Sequence, residues 1–109
     1  YAKAQYYLGW IYENGKGVPQ NYKESVKWYR LAAKQGHAEA QNNLGWMYFA
    51  GQGVPEDFKE AYAWVSVAAT NDDIKAIGRD LIAKRLTPEQ LAQGQALAKQ
   101  YFEKYQTKP

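Results

Sequence analysis

The sequence predicts an all-α domain of six helices arranged as stacked pairs, and three observations carry this prediction. A twelve-residue phrase occurs twice, as LGWIYENGKGVP at 8–19 and as LGWMYFAGQGVP at 44–55. Residues 4–39 and 40–75 are identical at 15 of 36 positions when aligned without a gap. Within each copy, apolar residues recur at helical spacing, and glycine and proline separate two helical stretches. A phrase that returns at a fixed spacing indicates a structural unit that returns.

The first helix of each unit has an apolar face and a clear end. In unit 1 the face consists of Ala4, Leu8, Ile11 and Tyr12, at the i, i+4, i+7, i+8 spacing of a helix. The phrase GKGVP follows, and its counterpart in unit 2 is GQGVP. Glycine supplies left-handed backbone conformations at a helix end, and proline prevents an immediate restart. We therefore predict that the first helices end at these glycines.

The second helix of each unit begins with a capping signal. Asn21-x-x-Glu24 and Asp57-x-x-Glu60 both place an Asx acceptor three residues before an acidic side chain. In unit 1, Gly36 is the predicted end, and in unit 2 Asn71 and Asp72 occupy that place. The predicted buried faces are Tyr22, Trp28, Tyr29, Ala32 and Ala33 in unit 1, and Phe58, Trp64, Ala68 and Ala69 in unit 2.

The last third of the chain, 74–109, keeps a helical pattern but loses the repeated phrase. Thr87-Pro88-Glu89-Gln90 is a helix start, with Thr as N-cap, Pro at N1 and Gln completing a capping box. A divergent final repeat is what a stacked array needs at its end. We predict two capping helices here, with inward faces formed by Ile74, Ile77, Leu81 and Ile82 and then by Leu91, Ala98, Tyr101, Phe102 and Tyr105.

Composition and motifs exclude several classes of function. The net charge of +3 is spread evenly, so we expect no nucleic-acid partner, and no apolar run is long enough to span a membrane. The chain has no cysteine and one histidine, His37, which we predict to be a solvated linker residue. GKG and GQG lack the P-loop and dinucleotide patterns, and the acidic pairs Glu56-Asp57 and Asp72-Asp73 fall where helices begin. We therefore expect no catalytic residues, no metal and no cofactor.

The repeated pattern A-x-x-x-L-G-x-x-Y-x-x-G-x-G-V-x-x-[ND]-x-x-K-x-x-x-W-x-x-x-A-A resembles the Sel1-like repeat, a relative of the tetratricopeptide repeat. The resemblance covers 2–37 and 38–73, and 74–109 looks like the closing segment of many bacterial members. It implies one repeat domain over 1–109, folded as an α/α solenoid (superhelix) of helix pairs. It also implies a non-catalytic adaptor or scaffold that binds a protein or peptide.

The resemblance further implies that first helices line a concave binding groove. On a helical wheel, Trp10 lies far from the predicted core direction of the first helix, and its equivalent in unit 2 is Trp46. Exposed aromatic side chains favour binding, although both tryptophans could instead pack between adjacent helices. The predicted protein-binding residues are Lys3, Tyr6, Trp10, Glu13 and Asn14, with Glu39, Asn42, Trp46 and Phe49 in unit 2.

Other functions remain open at this stage. One is a hydrolase of cell-wall or β-lactam-type substrates, although no S-x-x-K motif or convergent set of titratable residues is present. Another is a terminal structural cap of a longer repeat array. A homodimer through the N-terminal face is also compatible with the sequence. The compartment stays open between bacterial periplasm, secretion and cytoplasm.

Overall fold

Six α-helices follow one another in the computed structural model, which describes residues 1–106, and no strand occurs within that range. Unit 1 (residues 2–37) and unit 2 (residues 38–73) contribute two helices each, and two capping helices follow. The helices are α1 (Ala2–Asn14), α2 (Tyr22–Lys34), α3 (Ala38–Ala50), α4 (Phe58–Ala68), α5 (Asp73–Ala83) and α6 (Pro88–Tyr105). The predicted all-α solenoid is confirmed.

Most predicted capping residues form helix ends, but α4 is capped at Ala69, and Asp72, predicted at its end, is instead the N-cap of α5. Gly15 and Gly51 end α1 and α3 in the left-handed conformation, with φ of 65° and 69°. The side chain of Asn21 accepts a hydrogen bond from the Glu24 backbone N–H, which begins α2. At α6 both bonds of a capping box form between Thr87 and Gln90. These local signals satisfy backbone groups that a helix terminus otherwise leaves without partners.

In each unit, the first and second helices pack closely at a glycine of the first helix. A Cβ added at Gly9 would lie 2.5 Å from the ring of Tyr29, and one added at Gly45 would lie 2.6 Å from a methyl group of Val65. Both distances are far below van der Waals contact, so the missing side chain is what lets α1 approach α2 and α3 approach α4. The glycine-bearing side of the first helix therefore faces its own second helix.

The apolar face predicted for α1 does not pack against α2. Ala4 is exposed, and Leu8, Ile11 and Tyr12 are only half-buried. The prediction that they form the buried face of unit 1 is therefore wrong as stated. The corresponding face of α3 packs against α2, so this side of a first helix meets a neighbouring unit rather than its own partner helix.

The second helices supply most of the core. Tyr29, Ala32 and Ala33 are fully buried, as predicted, and so is Trp64 of α4. Tyr22, Trp28 and Phe58, which were expected in the core, are half-buried. One cluster therefore joins α2, α3 and α4, and a second joins α4 to the capping helices.

Both capping helices pack mainly on α4. Ile82 is fully buried, but Ile74, Ile77 and Leu81 are 81%, 61% and 53% exposed, so the inward face predicted for α5 is wrong at these three positions. Leu81 occupies the place of Gly9 and Gly45, so the last pair lacks the glycine at which the other two pairs cross closely. The second helix of the last pair lies on α4 instead.

The inward face of α6 is correct except at one residue. Tyr101 and Tyr105 pack over Trp64, with ring centroids 4.5 and 5.5 Å away. Leu91 and Ala98 are half-buried against α4 and α5. Phe102 is 39% exposed, contrary to prediction. Tyr101 and Tyr105 are the residues of α6 that pack on Trp64 of α4, and Phe102 lies to the side of this contact.

Truncating a side chain on the buried side of α5 should lower the free energy of unfolding much more than truncating one on its exposed side. We expect Ile82→Ala to lower the free energy of unfolding by about 2–4 kcal/mol, because the deleted atoms leave a cavity beside Ala61 and Val65. We expect Ile77→Ala to change it by less than about 0.5 kcal/mol, because that side chain stands mostly in water. Urea titrations followed by circular dichroism measure both, and comparable losses would contradict this placement of α5.

Candidate protein-binding surface

Four residues form an exposed stripe along the outer side of α1. Lys3, Tyr7, Trp10 and Asn14 follow one another at i, i+4, i+7 and i+11, and all four are exposed. We call them the α1 stripe. Tyr7 is 52% exposed and Trp10 40% exposed, so two aromatic rings stand in water between a cation and an amide. The sequence prediction included the other three residues and missed Tyr7, although its spacing from Lys3 was a usable signal.

Tyr6 and Glu13, which were predicted to be protein-binding residues, lie in the seam between α1 and α2. The ring of Tyr6 packs on Tyr29 and stacks on His37, at centroid distances of 5.7 and 4.8 Å. A carboxylate oxygen of Glu13 accepts a hydrogen bond of 2.6 Å from the Tyr29 hydroxyl. Burial and this bond to Glu13 together raise the pKa of Tyr29. Both side chains are thus engaged within the fold.

Charged residues continue the α1 stripe onto α3 and α5, the first helices of the two following pairs. Lys3, Glu39 and Lys75 are equivalent positions, 36 residues apart. The Lys75 ammonium contacts Glu39 at 2.5 Å and Asp72 at 2.7 Å. Burial alone would lower the pKa of Lys75, but its hydrogen bonds to Asp72 and Glu39 raise it overall. Positive and negative charges therefore alternate across α1, α3 and α5.

Trp46 and Phe49 belong to an aromatic cluster at the end of α3. Trp46 meets Phe49 edge-on at 5.2 Å, and Phe49 stacks on Phe58 at 5.0 Å. The Arg85 guanidinium lies 5.5 Å from both phenylalanine rings, which is within cation–π range. Trp46 also lies against Gly78 of α5, where a Cβ would come within 2.8 Å of its ring. Both residues are half-buried, so they brace α3 against α4 and α5 and present only part of their surface.

His37 and Asn42 are also held within the helical framework. His37 caps α3, because its Nδ1 accepts a hydrogen bond of 3.2 Å from the Ala40 N–H. Burial lowers the pKa of this imidazole, which favours the neutral form that can accept the bond. The prediction of a solvated linker histidine is therefore wrong. Asn42 is half-buried, and its side-chain oxygen has no hydrogen-bond partner among the described residues.

The acidic side chains that line a cavity have structural partners. A cavity of about 400 Å³ between α4 and α6 is lined by Asp57, Lys59 and Glu60. Asp57 caps α4 by accepting from two backbone N–H groups, and both oxygens of Glu60 accept from the Tyr101 hydroxyl. Burial, together with that contact, raises the pKa of Tyr101. Residues 1–106 contain no group of three or more His, Cys, Asp or Glu side chains placed to hold a metal ion.

The geometry defines a helical-repeat protein, built from stacked helix pairs and presenting exposed side chains on its first helices. A family model for the Sel1 repeat matches residues 2–37 and 38–73. The chain therefore belongs to the Sel1 repeat family.

Solved structures support the same assignment. One is c5321, a protective antigen of uropathogenic Escherichia coli strains with an SLR fold, which is 40% identical over 96% of this chain with a TM-score of 0.93. Another is a Sel1 repeat protein of Oxalobacter formigenes, 38% identical over 75% of this chain with a TM-score of 0.72. The chain spans about a quarter of the length of each, at 23% and 24%. A search of curated protein sequences found no match.

Proteins of this family generally mediate protein–protein interaction. In the described part of the chain, no helix is both long and apolar enough to traverse a bilayer.

Proposed function

We propose that this domain is a non-catalytic adaptor that binds a segment of another protein on the side formed by its first helices. The α1 stripe is the anchor of this surface, and the observation that carries the proposal is the exposure of Trp10. Large aromatic side chains that remain exposed are enriched among the residues that dominate binding energy. Glu39 and the half-buried Trp46 extend the surface onto α3.

The charges of the surface determine which segments it accepts. Lys3 and Glu39 are both exposed, and they carry opposite signs on neighbouring helices. A segment lying across α1 and α3 gains from an acidic group near Lys3 and from a basic group near Glu39. Glu39 already contacts Lys75, so the Lys3 end is the more selective one. Surface charges of this kind set orientation and association rate more than affinity.

The hydrolase alternative has less support. Asp57 and Glu60, the carboxylates beside the cavity between α4 and α6, are bonded to backbone N–H groups and to a tyrosine hydroxyl. A general acid or base must reach a substrate proton, and these groups already have structural partners.

The test is affinity capture with Trp10→Ala, using Leu31→Ala as a matched control. Leu31 is 41% exposed on α2, against 40% for Trp10, so the two changes remove apolar surface of similar exposure from different faces. We expect Trp10→Ala to weaken binding of the captured protein by about 2 kcal/mol, roughly 30-fold, with no change in helicity. Equal retention by the wild-type and Trp10→Ala proteins would refute the surface as assigned.

A further inference from the structure

The N-cap of α3 differs in chemistry from the other side-chain caps of this fold. The caps of α2, α4, α5 and α6 accept through side-chain oxygens, those of Asn21, Asp57, Asp72 and Thr87. At α3 the acceptor is the Nδ1 atom of His37, 3.2 Å from the Ala40 nitrogen. Nδ1 accepts a hydrogen bond only while the imidazole is neutral, because both ring nitrogens carry protons in the charged form. The cap of α3 therefore depends on the protonation state of one side chain.

His37 lies where unit 1 meets unit 2, and it contacts three helices. Its backbone N–H donates to the Ala32 carbonyl oxygen near the end of α2, at 3.2 Å. Its side chain caps α3, and its ring stacks on Tyr6 of α1 with the centroids 4.8 Å apart. Tyr6 in turn packs on Tyr29 of α2 at 5.7 Å. A change at the imidazole therefore acts on the junction of α1, α2 and α3, and not on one helix end alone.

The groups around the imidazole leave it neutral in the folded protein. Burial lowers the pKa of His37, and the Glu39 carboxylate of α3 opposes this by raising it. Lys75 of α5 contacts that carboxylate, with Nζ 2.5 Å from Oε1, so part of the negative charge is already compensated. Tyr6 faces the ring from α1 as an uncharged phenol, because burial raises its pKa. Residues 35–36, which connect α2 to His37, do not ionise.

We propose that His37 is a pH-sensitive switch between the two units: the neutral imidazole joins the start of α3 to α1, and protonation releases it. The added proton removes the Nδ1 acceptor and places a positive charge at the positive end of the helix dipole. Glu39, which belongs to the proposed binding surface, lies in the first turn of α3, so acid loosens that part of the surface too. The switch rests on contacts within units 1 and 2, and it stands whether or not the α1 stripe binds a partner.

The stability change falls in a defined pH window. A histidine whose pKa is lowered by folding binds its proton more readily once unfolded. Its contribution to stability is therefore complete above the ordinary value of 6.5 and is lost as the pH falls below it. Other shifted groups ionise elsewhere. The pKa of Asp72 is lowered from 3.8, and pKa values are raised from 10.0 or 10.5 at Tyr6, Tyr29, Tyr101 and Lys75.

NMR of the imidazole ring measures the switch directly, because His37 is the only histidine of the chain. We expect the ring signals of the folded protein to titrate with a midpoint below 6.5. In the same protein unfolded by urea, the midpoint should lie at about 6.5, which supplies the reference. A midpoint in the folded protein equal to or above that of the unfolded protein would overturn the proposal.

Thermal unfolding at about pH 8 and about pH 5 measures the effect on the fold. His37→Asn is the matched variant, because asparagine is a good N-cap acceptor that does not ionise. Between these two pH values, we expect the Tm of the wild-type protein to fall by roughly 3–6 °C more than that of His37→Asn. His37→Ala lacks the acceptor at both pH values, so it should show no such excess loss in acid. Equal losses in the wild-type and His37→Asn proteins would mean that His37 is not a switch.

Discussion

Replacing Trp64 with alanine should lower the free energy of unfolding by about 3–5 kcal/mol, the range for truncating a fully buried aromatic side chain. Trp64 is 1% exposed and belongs to the cluster that joins α2, α3 and α4. Its ring also supports Tyr101 and Tyr105, so the deletion removes much of the surface on which α6 rests. Such a loss is a large fraction of the stability of a domain of this size.

Trp28 provides the matched comparison, since it is the same residue at the same unit position but is only half-buried. We expect Trp28→Ala to cost less, about 1–2 kcal/mol, because part of its side chain is already exposed to water. Urea unfolding of the wild-type protein and both variants, followed by circular dichroism, gives the two differences. Equal losses would mean that the two tryptophans have the same environment, contrary to the packing described.

Replacing Gly53 with alanine should cost about 3 kcal/mol, from two separate sources. A non-glycine residue in the left-handed region costs about 1–2 kcal/mol. The added methyl group would also lie 2.4 Å from the Tyr22 carbonyl oxygen and 2.6 Å from its carbon. Backbone atoms cannot rotate away as a side chain can, so α3 and α2 must separate, and overpacking of this kind costs about 1–3 kcal/mol.

Gly17→Ala is the matched control, because it imposes the same backbone strain but its new methyl group meets nothing. Comparing the two variants therefore isolates the steric source. We expect it to cost about 1–2 kcal/mol. Thermal or urea unfolding of the two variants in parallel gives the difference, which measures the contact between units without the strain. If Gly17→Ala is as destabilising as Gly53→Ala, the steric part of the argument fails.

The local features of this fold were predictable, because their signals lie within a few residues of where they act. The left-handed ends at Gly15 and Gly51 and the capping box of Thr87 and Gln90 are set by backbone conformation and by side chains three positions away. The 36-residue unit was likewise predictable from identical residues at a fixed spacing.

The direction in which α1 faces its own partner helix was not predictable from apolar residues alone. The contact with α2 is made by Gly9, which contributes no hydrophobicity, while Leu8 and Ile11 face outward from unit 1. Because the core direction was taken from those apolar residues, Tyr6 and Glu13 were predicted to be protein-binding residues. Lys3, Trp10 and Asn14 are exposed, because they lie far from both contacting faces, and their role in binding stays a prediction.

The positions of the capping helices depend on contacts between residues far apart in the sequence, which the apolar pattern of each helix does not predict. Apolar residues on α5 predicted an inward face, yet Ile74 and Ile77 are exposed because α6 lies on α4. The substitution of leucine at position 81 for the glycine of the other two units was the one available signal.

The path of α6 also determines how this chain loses its structure. In a linear array each repeat touches only its neighbours, so the ends can fray while the middle persists. Here Gln41 donates hydrogen bonds both to Ala33 of unit 1 and to the Tyr105 carbonyl at the end of α6. Detaching α6 therefore exposes the core that α2, α3 and α4 share. We expect the protein to melt as one cooperative unit, although it is built from repeats.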